Sequence, residues 1–302
     1  MGQLTGPTDP AADARWKDPG PRKGFFTDTS ICIGCKACEV ACKEWNAVPE
    51  DGLSLSGMSY DNTVGLGAST WRHVAFIEQV VPASRVLSLV PSDNAPSPAA
   101  PSVPMAPSVP AAAEGVRWLM ASDVCKHCTE SACLDVCPTG ALFRTEFGTV
   151  VVQDDVCNGC GYCVPACPFG VIARREEDGQ AHKCTLCYDR LSVGMEPACA
   201  KACPTQSIQF GPLEELRERA RLRVEDLHAA GQDTAQLYLD DPADGIGGGG
   251  AFFLLLDEPE VYGLPPDPVV TTRDLPDMWR HVGMAAAGLV ATAIALGFGR
   301  RK

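Results

Sequence analysis

Residues 157–168 read CNGCGYCVPACP: four cysteines spaced Cys157-x2-Cys160-x2-Cys163-x3-Cys167, with Pro168 behind the last. Thiols only two residues apart force a tight loop. Gly159 and Gly161 let its backbone approach whatever the sulfurs hold, with N–H groups pointing at anions. Working outward, the pattern recurs three times. Cys32-x2-Cys35-x2-Cys38-x3-Cys42 repeats it, with Gly34 in the loop and Lys43 where the proline stood. Cys125-x2-Cys128-x4-Cys133-x3-Cys137-Pro138 and Cys184-x2-Cys187-x11-Cys199-x3-Cys203-Pro204 are stretched versions. The four quartets use all 16 cysteines of the 302-residue chain.

This is the ligand run of bacterial [4Fe–4S] ferredoxins, so four [4Fe–4S] clusters are expected. Zinc ribbons use two CxxC pairs without a third cysteine and a fourth at x3. A c-type haem needs CxxCH, whereas His127 lies inside its pair. A disulfide framework belongs to short secreted chains with a signal peptide, and residues 1–20, MGQLTGPTDPAADARWKDPG, lack an apolar core. His127 and His182 read as bystanders. Lys36, Lys126 and Lys183 read as solvated side chains, although a positive charge beside a cluster raises its potential.

In a two-cluster run the fourth cysteine ligates the other cluster of the pair, and it is expected to begin a helix leading away. Crossing the second and third groups puts one cluster on Cys125, Cys128, Cys133 and Cys167, and its partner on Cys137, Cys157, Cys160 and Cys163. The first and fourth groups then pair by exclusion. One cluster falls on Cys32, Cys35, Cys38 and Cys203, the other on Cys42, Cys184, Cys187 and Cys199. The expected fold class is α+β: two ferredoxin-like bicluster units, one inserted in the other, plus a C-terminal single transmembrane helix. The expected segments are a tail at 1–24, the outer unit's first part at 25–90, a Pro/Ala/Ser-rich loop at 91–115 and the inner unit at 116–177. The outer unit's second part follows at 178–212, then a helix and partner-contacting extension at 213–276 and the membrane anchor at 277–302.

Within these segments, residues 71–80 (WRHVAFIEQV) and 251–256 have strand composition, and 213–230 has helical apolar spacing. The glycines at 245–250 lack the helix that follows a phosphate loop, so they do not read as a nucleotide site. Residues 282–299 are uncharged and would span about 27 Å as a helix, near the roughly 30 Å of a bilayer core. Gly283, Ala287 and Gly288 offer small faces to another membrane helix. Arg300, Arg301 and Lys302 favour a cytoplasmic C-terminus, against Arg280 with Asp274 and Asp277 on the other flank. The net charge of −13 is made more negative by clusters carrying about −2 each, toward roughly −21. That surface repels phosphate backbones and excludes nucleic acid as a partner.

TSICIGCKACEVACKEWN (29–46), CNGCGYCVPACPFGV (157–171) and KCTLCYDRLSVGMEPACAKACPT (183–205) resemble the iron–sulfur beta subunit of membrane-bound formate dehydrogenases. VYGLPPDP (261–268) and the single apolar tail fit the same family. The resemblance covers roughly residues 25–300 outside the Pro/Ala loop; the tetracluster motif itself is shared by the electron-transfer subunits of molybdopterin oxidoreductases. It implies a non-catalytic relay between a molybdenum or tungsten pterin alpha subunit that oxidises formate and a quinone-reducing membrane subunit, a cytochrome b or a related protein. It also implies a place at the cell membrane, with the cluster domains on the extracytoplasmic side, exported folded beside a partner with a twin-arginine signal. The nearest alternative is the same kind of relay in a membrane-bound hydrogenase or a polysulfide, nitrite or dimethyl-sulfoxide type reductase. A free ferredoxin-like carrier sits poorly with the apolar tail, and cluster-based catalysis sits poorly with full cysteine ligation.

Overall fold

The computed structural model describes residues 14–52, 55, 57, 60–82, 114–270, 272 and 275–299. Most of the expected N-terminal tail, nearly all of the Pro/Ala/Ser loop, and Arg300, Arg301 and Lys302 lie outside them. A four-stranded sheet anchors the fold, in the order β8 (Ile208–Pro212), β1 (Lys23–Asp28), β10 (Ala251–Leu255), β9 (Gln236–Tyr238). Phe252, Phe253, Leu254 and Leu255 of β10 are wholly buried, as are the adjacent Phe25 and Phe26 of β1. Consecutive buried residues mean that both sheet faces are covered, which explains the unbroken apolar runs. β1 pairs parallel with β10 (Phe25 opposite Ala251) and antiparallel with β8 (Phe25 opposite Phe210). The strand before the first cysteine group therefore lies beside the strand after the fourth.

The long helix α6 (Leu213–Ala229) packs on this sheet through Leu213, Leu216, Ala220 and Leu227. Its Arg223 reaches back to the buried Asp28 carboxylate at 3.1 Å. The glycine run has a structural task. A side chain at Gly24 would meet the Gly250 carbonyl oxygen at 2.1 Å, so the strands approach only because glycine stands there. The same run also binds the loop of the second cysteine group. The Thr129 and Glu130 amides donate to the Gly248 and Ile246 carbonyls, and the Ala251 amide donates to Lys126 O.

A second ladder joins β2 (Arg72–Pro82) to β3 (Glu114–Val124), antiparallel from Arg72 opposite Val124 to Pro82 opposite Glu114. The expected strand at 71–80 is thus present and slightly longer. The rest of the cysteine region is short: β4 (Leu142–Arg144) with β5 (Val150–Val152), β6 (Ala173–Arg174) with β7 (Ala181–His182), and small helices. These are α1 (Ala37–Trp45), α2 (Ala132–Asp135), α3 (Cys163–Ala166), α4 (Tyr188–Ser192) and α5 (Ala198–Lys201). α1 packs against α5, and α2 against α3.

The last helix, α7 (Leu275–Gly299), runs 25 residues, about 37 Å at 1.5 Å per residue. Its segment Met278–Leu296 has a mean hydropathy of 1.3, and none of it is buried. Thr292 returns its hydroxyl to the Gly288 carbonyl at 2.8 Å, so that polar group is satisfied within the helix. The helix is long and apolar enough to cross a membrane.

Truncating Leu254 on the central strand should cost about 2–5 kcal/mol. Denaturant unfolding followed by circular dichroism checks this, with Arg221→Ala on the exposed face of α6 expected within about 0.5 kcal/mol of the parent.

Candidate functional site

All sixteen cysteine thiols are free. Cys32, Cys35, Cys38 and Cys203 line one open cavity of about 290 Å³. Cys137, Cys157, Cys160 and Cys163 line another of about 310 Å³. Cys42, Cys184, Cys187 and Cys199 form a third cage: Cys184 senses the charge of the other three, and Cys42 that of Cys187 and Cys199. Cys125, Cys128, Cys133 and Cys167 form the fourth, where Cys128 senses the other three. The cages adjoin one another in series. Cys42 feels Cys38 of the first cage, and Cys184 feels Cys125 of the cage beyond. Cys133 and Cys167 then share one apolar cluster with Cys137, Cys157 and Cys163.

The helices differ from the sequence expectation. The fourth cysteine of a group does not begin a helix; it ends one or lies inside it. α2 precedes Cys137, α3 ends at Cys167, and α5 precedes Cys203. The x3 spacing is one helical turn, which carries the chain from one cage to its neighbour. Proline then stops the helix and turns the chain. After Cys137 this turn aims the amides of Leu142, Thr139 and Ala141 and the Thr139 hydroxyl at the sulfur. With Lys43 in place of proline, α1 continues past Cys42 to Trp45. There Asn46 Nδ2 supplies the donors instead, 3.8 Å from the Cys42 sulfur and 3.7 Å from that of Cys187.

The first CxxC pair of each group contains the same left-handed turn just before its second cysteine. Gly34 (φ 64°) and Gly159 (φ 72°) adopt it, and so do His127 (φ 45°) and Leu186 (φ 57°). The turn points an amide back at the first sulfur: Leu186 N donates to Cys184 Sγ at 3.3 Å, and Gly34 N to Cys32. Glycine marks only two of the four turns. The position within the repeat would have identified the other two.

Burial pushes most of the thiols up, Cys42 and Cys133 to about 12 and Cys163 to about 11, and neighbouring cysteine sulfurs add to it. At Cys137 burial also works upward, but four hydrogen bonds outweigh it and hold that thiol low. Four thiolates in one cage repel unless cations stand among them. Among the described residues no three such side chains converge on the single point that one metal ion requires. The sulfurs instead ring a space. This donor set fits an iron–sulfur cube.

The cations near the cages differ from the sequence expectation as well. Lys126 and Lys183 are not solvated but buried. Lys126 is paired with Asp123 and stands over the Phe253 ring at 4.7 Å. Lys183 donates to Val150 O, Cys184 O and Cys125 Sγ, which uses all three ammonium protons. Lys36 is half-buried and paired with Asp61 at 2.8 Å. His127 accepts from the Val150 amide at Nδ1, and burial beside Lys183 and Arg22 keeps it neutral. His182 is held by Asp178 at 2.8 Å.

The 4Fe-4S dicluster domain matches this chain twice, over residues 116–213 and 31–141. The formate dehydrogenase iron–sulfur subunit of Haemophilus influenzae is 39% identical over 273 residues, covering 89% of this chain and 76% of its own length. The chain belongs to the formate dehydrogenase iron–sulfur subunit family. Another family relative, the nitrate-inducible subunit of Escherichia coli, is 38% identical across 90% of this chain and 82% of its own. Outside that family, the B subunit of the anaerobic dimethyl sulfoxide reductase of Escherichia coli is 33% identical over 65% of this chain and 76% of its own. Two dicluster domains amount to four [4Fe–4S] clusters, and the sixteen thiols match that number. Members of this family transfer electrons.

At Gly159 an added Cβ would lie 2.4 Å from the Gly179 backbone oxygen, on a left-handed φ that strains a side chain. Gly159→Ala should therefore remove one cluster. Iron should fall from about 16 to about 12 atoms per chain, measured after anaerobic reconstitution.

Proposed function

We propose that this chain joins a formate-oxidising molybdenum or tungsten pterin subunit to a quinone-reducing membrane subunit. The observation that carries this is the line of four thiol cages, in a chain that aligns with formate dehydrogenase iron–sulfur subunits over about nine-tenths of its length. Alignment with the dimethyl sulfoxide reductase subunit is shorter, which favours formate over the alternative relays.

Each cage holds one [4Fe–4S] cluster, which supplies reversible one-electron exchange when bound. The ligand sets are Cys32, Cys35, Cys38 and Cys203; Cys42, Cys184, Cys187 and Cys199; Cys125, Cys128, Cys133 and Cys167; and Cys137, Cys157, Cys160 and Cys163. The last two sets form an inner bicluster unit, inserted in the outer unit made by the first two. The pairing of β1 with β8 supports that nesting, because it closes the outer unit around the inner one. Cys35 and Cys160 are the two exposed cysteines, and they belong to opposite end cages. The ends of the line therefore face the partners, and the middle stays shielded. α7 anchors the chain, with Arg300, Arg301 and Lys302 in the cytoplasm and the cages on the opposite side.

Cys203→Ser should damage the cluster of Cys32, Cys35 and Cys38 and spare that of Cys184 and Cys187, as electron paramagnetic resonance would record. Loss confined to the fourth group's own cage contradicts the crossing. In the native complex, formate should reduce these clusters and a quinone analogue should reoxidise them. Reduction by hydrogen with none by formate favours a hydrogenase relay.

A further inference from the structure

Arg72 opens β2, and only 2% of its surface is exposed. A buried guanidinium ordinarily sits against a carboxylate, because an uncompensated charge in the interior is costly. Here it does not. Its Nη1 donates to the Ser122 carbonyl at 3.2 Å and to the Ser122 hydroxyl at 3.1 Å, and its cationic carbon stacks 4.9 Å from the Phe25 ring centre. Nε and Nη2 form no hydrogen bond of ordinary geometry. The anions that act on the group most strongly are all cysteine sulfurs: Cys199, Cys38, Cys184 and Cys42, in that order. Cys38 belongs to the first cage, and the other three to the second.

Ser122 extends the charge toward the first cage. Its hydroxyl accepts from Arg72 and lies 3.2 Å from Cys38 Sγ. A metal-bound thiolate carries no proton, so the hydroxyl is the donor to sulfur. The path from Arg72 through Ser122 to Cys38 thus delivers positive potential to one cage, while the same charge acts on Cys199, Cys184 and Cys42 of the other. Arg72 itself remains charged throughout, since guanidinium does not deprotonate in proteins.

We propose that Arg72 is the shared counter-charge of the two clusters held by the outer unit, raising the reduction potential of both relative to the other two. The inference rests on the cluster assignment made above. A positive charge in a low-dielectric interior favours the more negative, reduced state of a nearby cluster, and the effect falls off with distance. It therefore acts on the first and second cages and fades toward the other pair. Its role is electrostatic positioning of potential, without contact to any substrate.

The test is a reductive titration of the full reconstituted chain, followed by electron paramagnetic resonance, for the parent, Arg72→Met and Arg72→Lys. The parent should hold about 16 irons. In Arg72→Met, with the charge removed and the bulk kept, the signals of two clusters should move to lower potential while the other two stay. Arg72→Lys should restore them toward the parent. If Arg72→Met instead loses iron from the outer unit and Arg72→Lys retains it with potentials near the parent, the charge is again what the clusters need. Unmoved potentials in an iron-replete Arg72→Met overturn the proposal. So does equal loss of iron in both variants, which assigns Arg72 to packing. A parent chain with fewer than four clusters fails at the earlier step, and the proposal with it; a parent with four and an unresponsive variant contradicts this proposal alone.

Discussion

Repulsion among buried thiolates is the constraint on which this molecule depends. All but two of its sixteen cysteines are buried or partly buried, and burial together with neighbouring sulfurs pushes most of those thiols toward the protonated state. Ionised sulfurs at that density need positive charge close by. Iron is the main source, and binding it releases the protons and couples cluster assembly to folding. The protein adds backbone amides at the left-handed turns and buried cations beside the sulfurs, among them Lys183, Arg144 and Arg72. The buried sheet at β1 and β10 acts as the frame that keeps this charged interior in one shape.

Much of this was legible in the sequence because ligand spacing is a local property. The four quartets, the apolar run of β10, the amphipathic α6 and the apolar tail all follow from residues near one another in the chain. What escaped depends on the fold. Lys126 and Lys183 look like surface residues until the β4–β5 ladder and the Val150 carbonyl close over Lys183, and Phe253 closes over Lys126. Arg72 sits in a strand with no cysteine near it in sequence, and only the β2–β3 register brings Ser122 and Cys38 to it. The turns at His127 and Leu186 carry no glycine to announce them, since a tight sulfur loop imposes the conformation on whatever residue is there. The glycines at 245–250 had a visible composition and an invisible purpose: close packing against Gly24 and the loop at 126–130.

The line of cages also explains why the chain is large for a carrier. A two-cluster unit spans little distance, and two such units together extend the line. Within each pair, the links between cages are one-turn x3 spacings, so the spacing there is set by helix geometry and not by flexible loops. α7, with no buried residue in Met278–Leu296, adds an apolar surface that needs a membrane or a partner to cover it.

The central claim is that the sixteen thiols hold four clusters in one interior. Iron and acid-labile sulfide analysis of the anaerobically reconstituted full chain, combined with a reductive titration, tests it directly. The account predicts about 16 irons, a matching number of sulfides and four one-electron equivalents per chain. Settling near eight irons and two equivalents would contradict it.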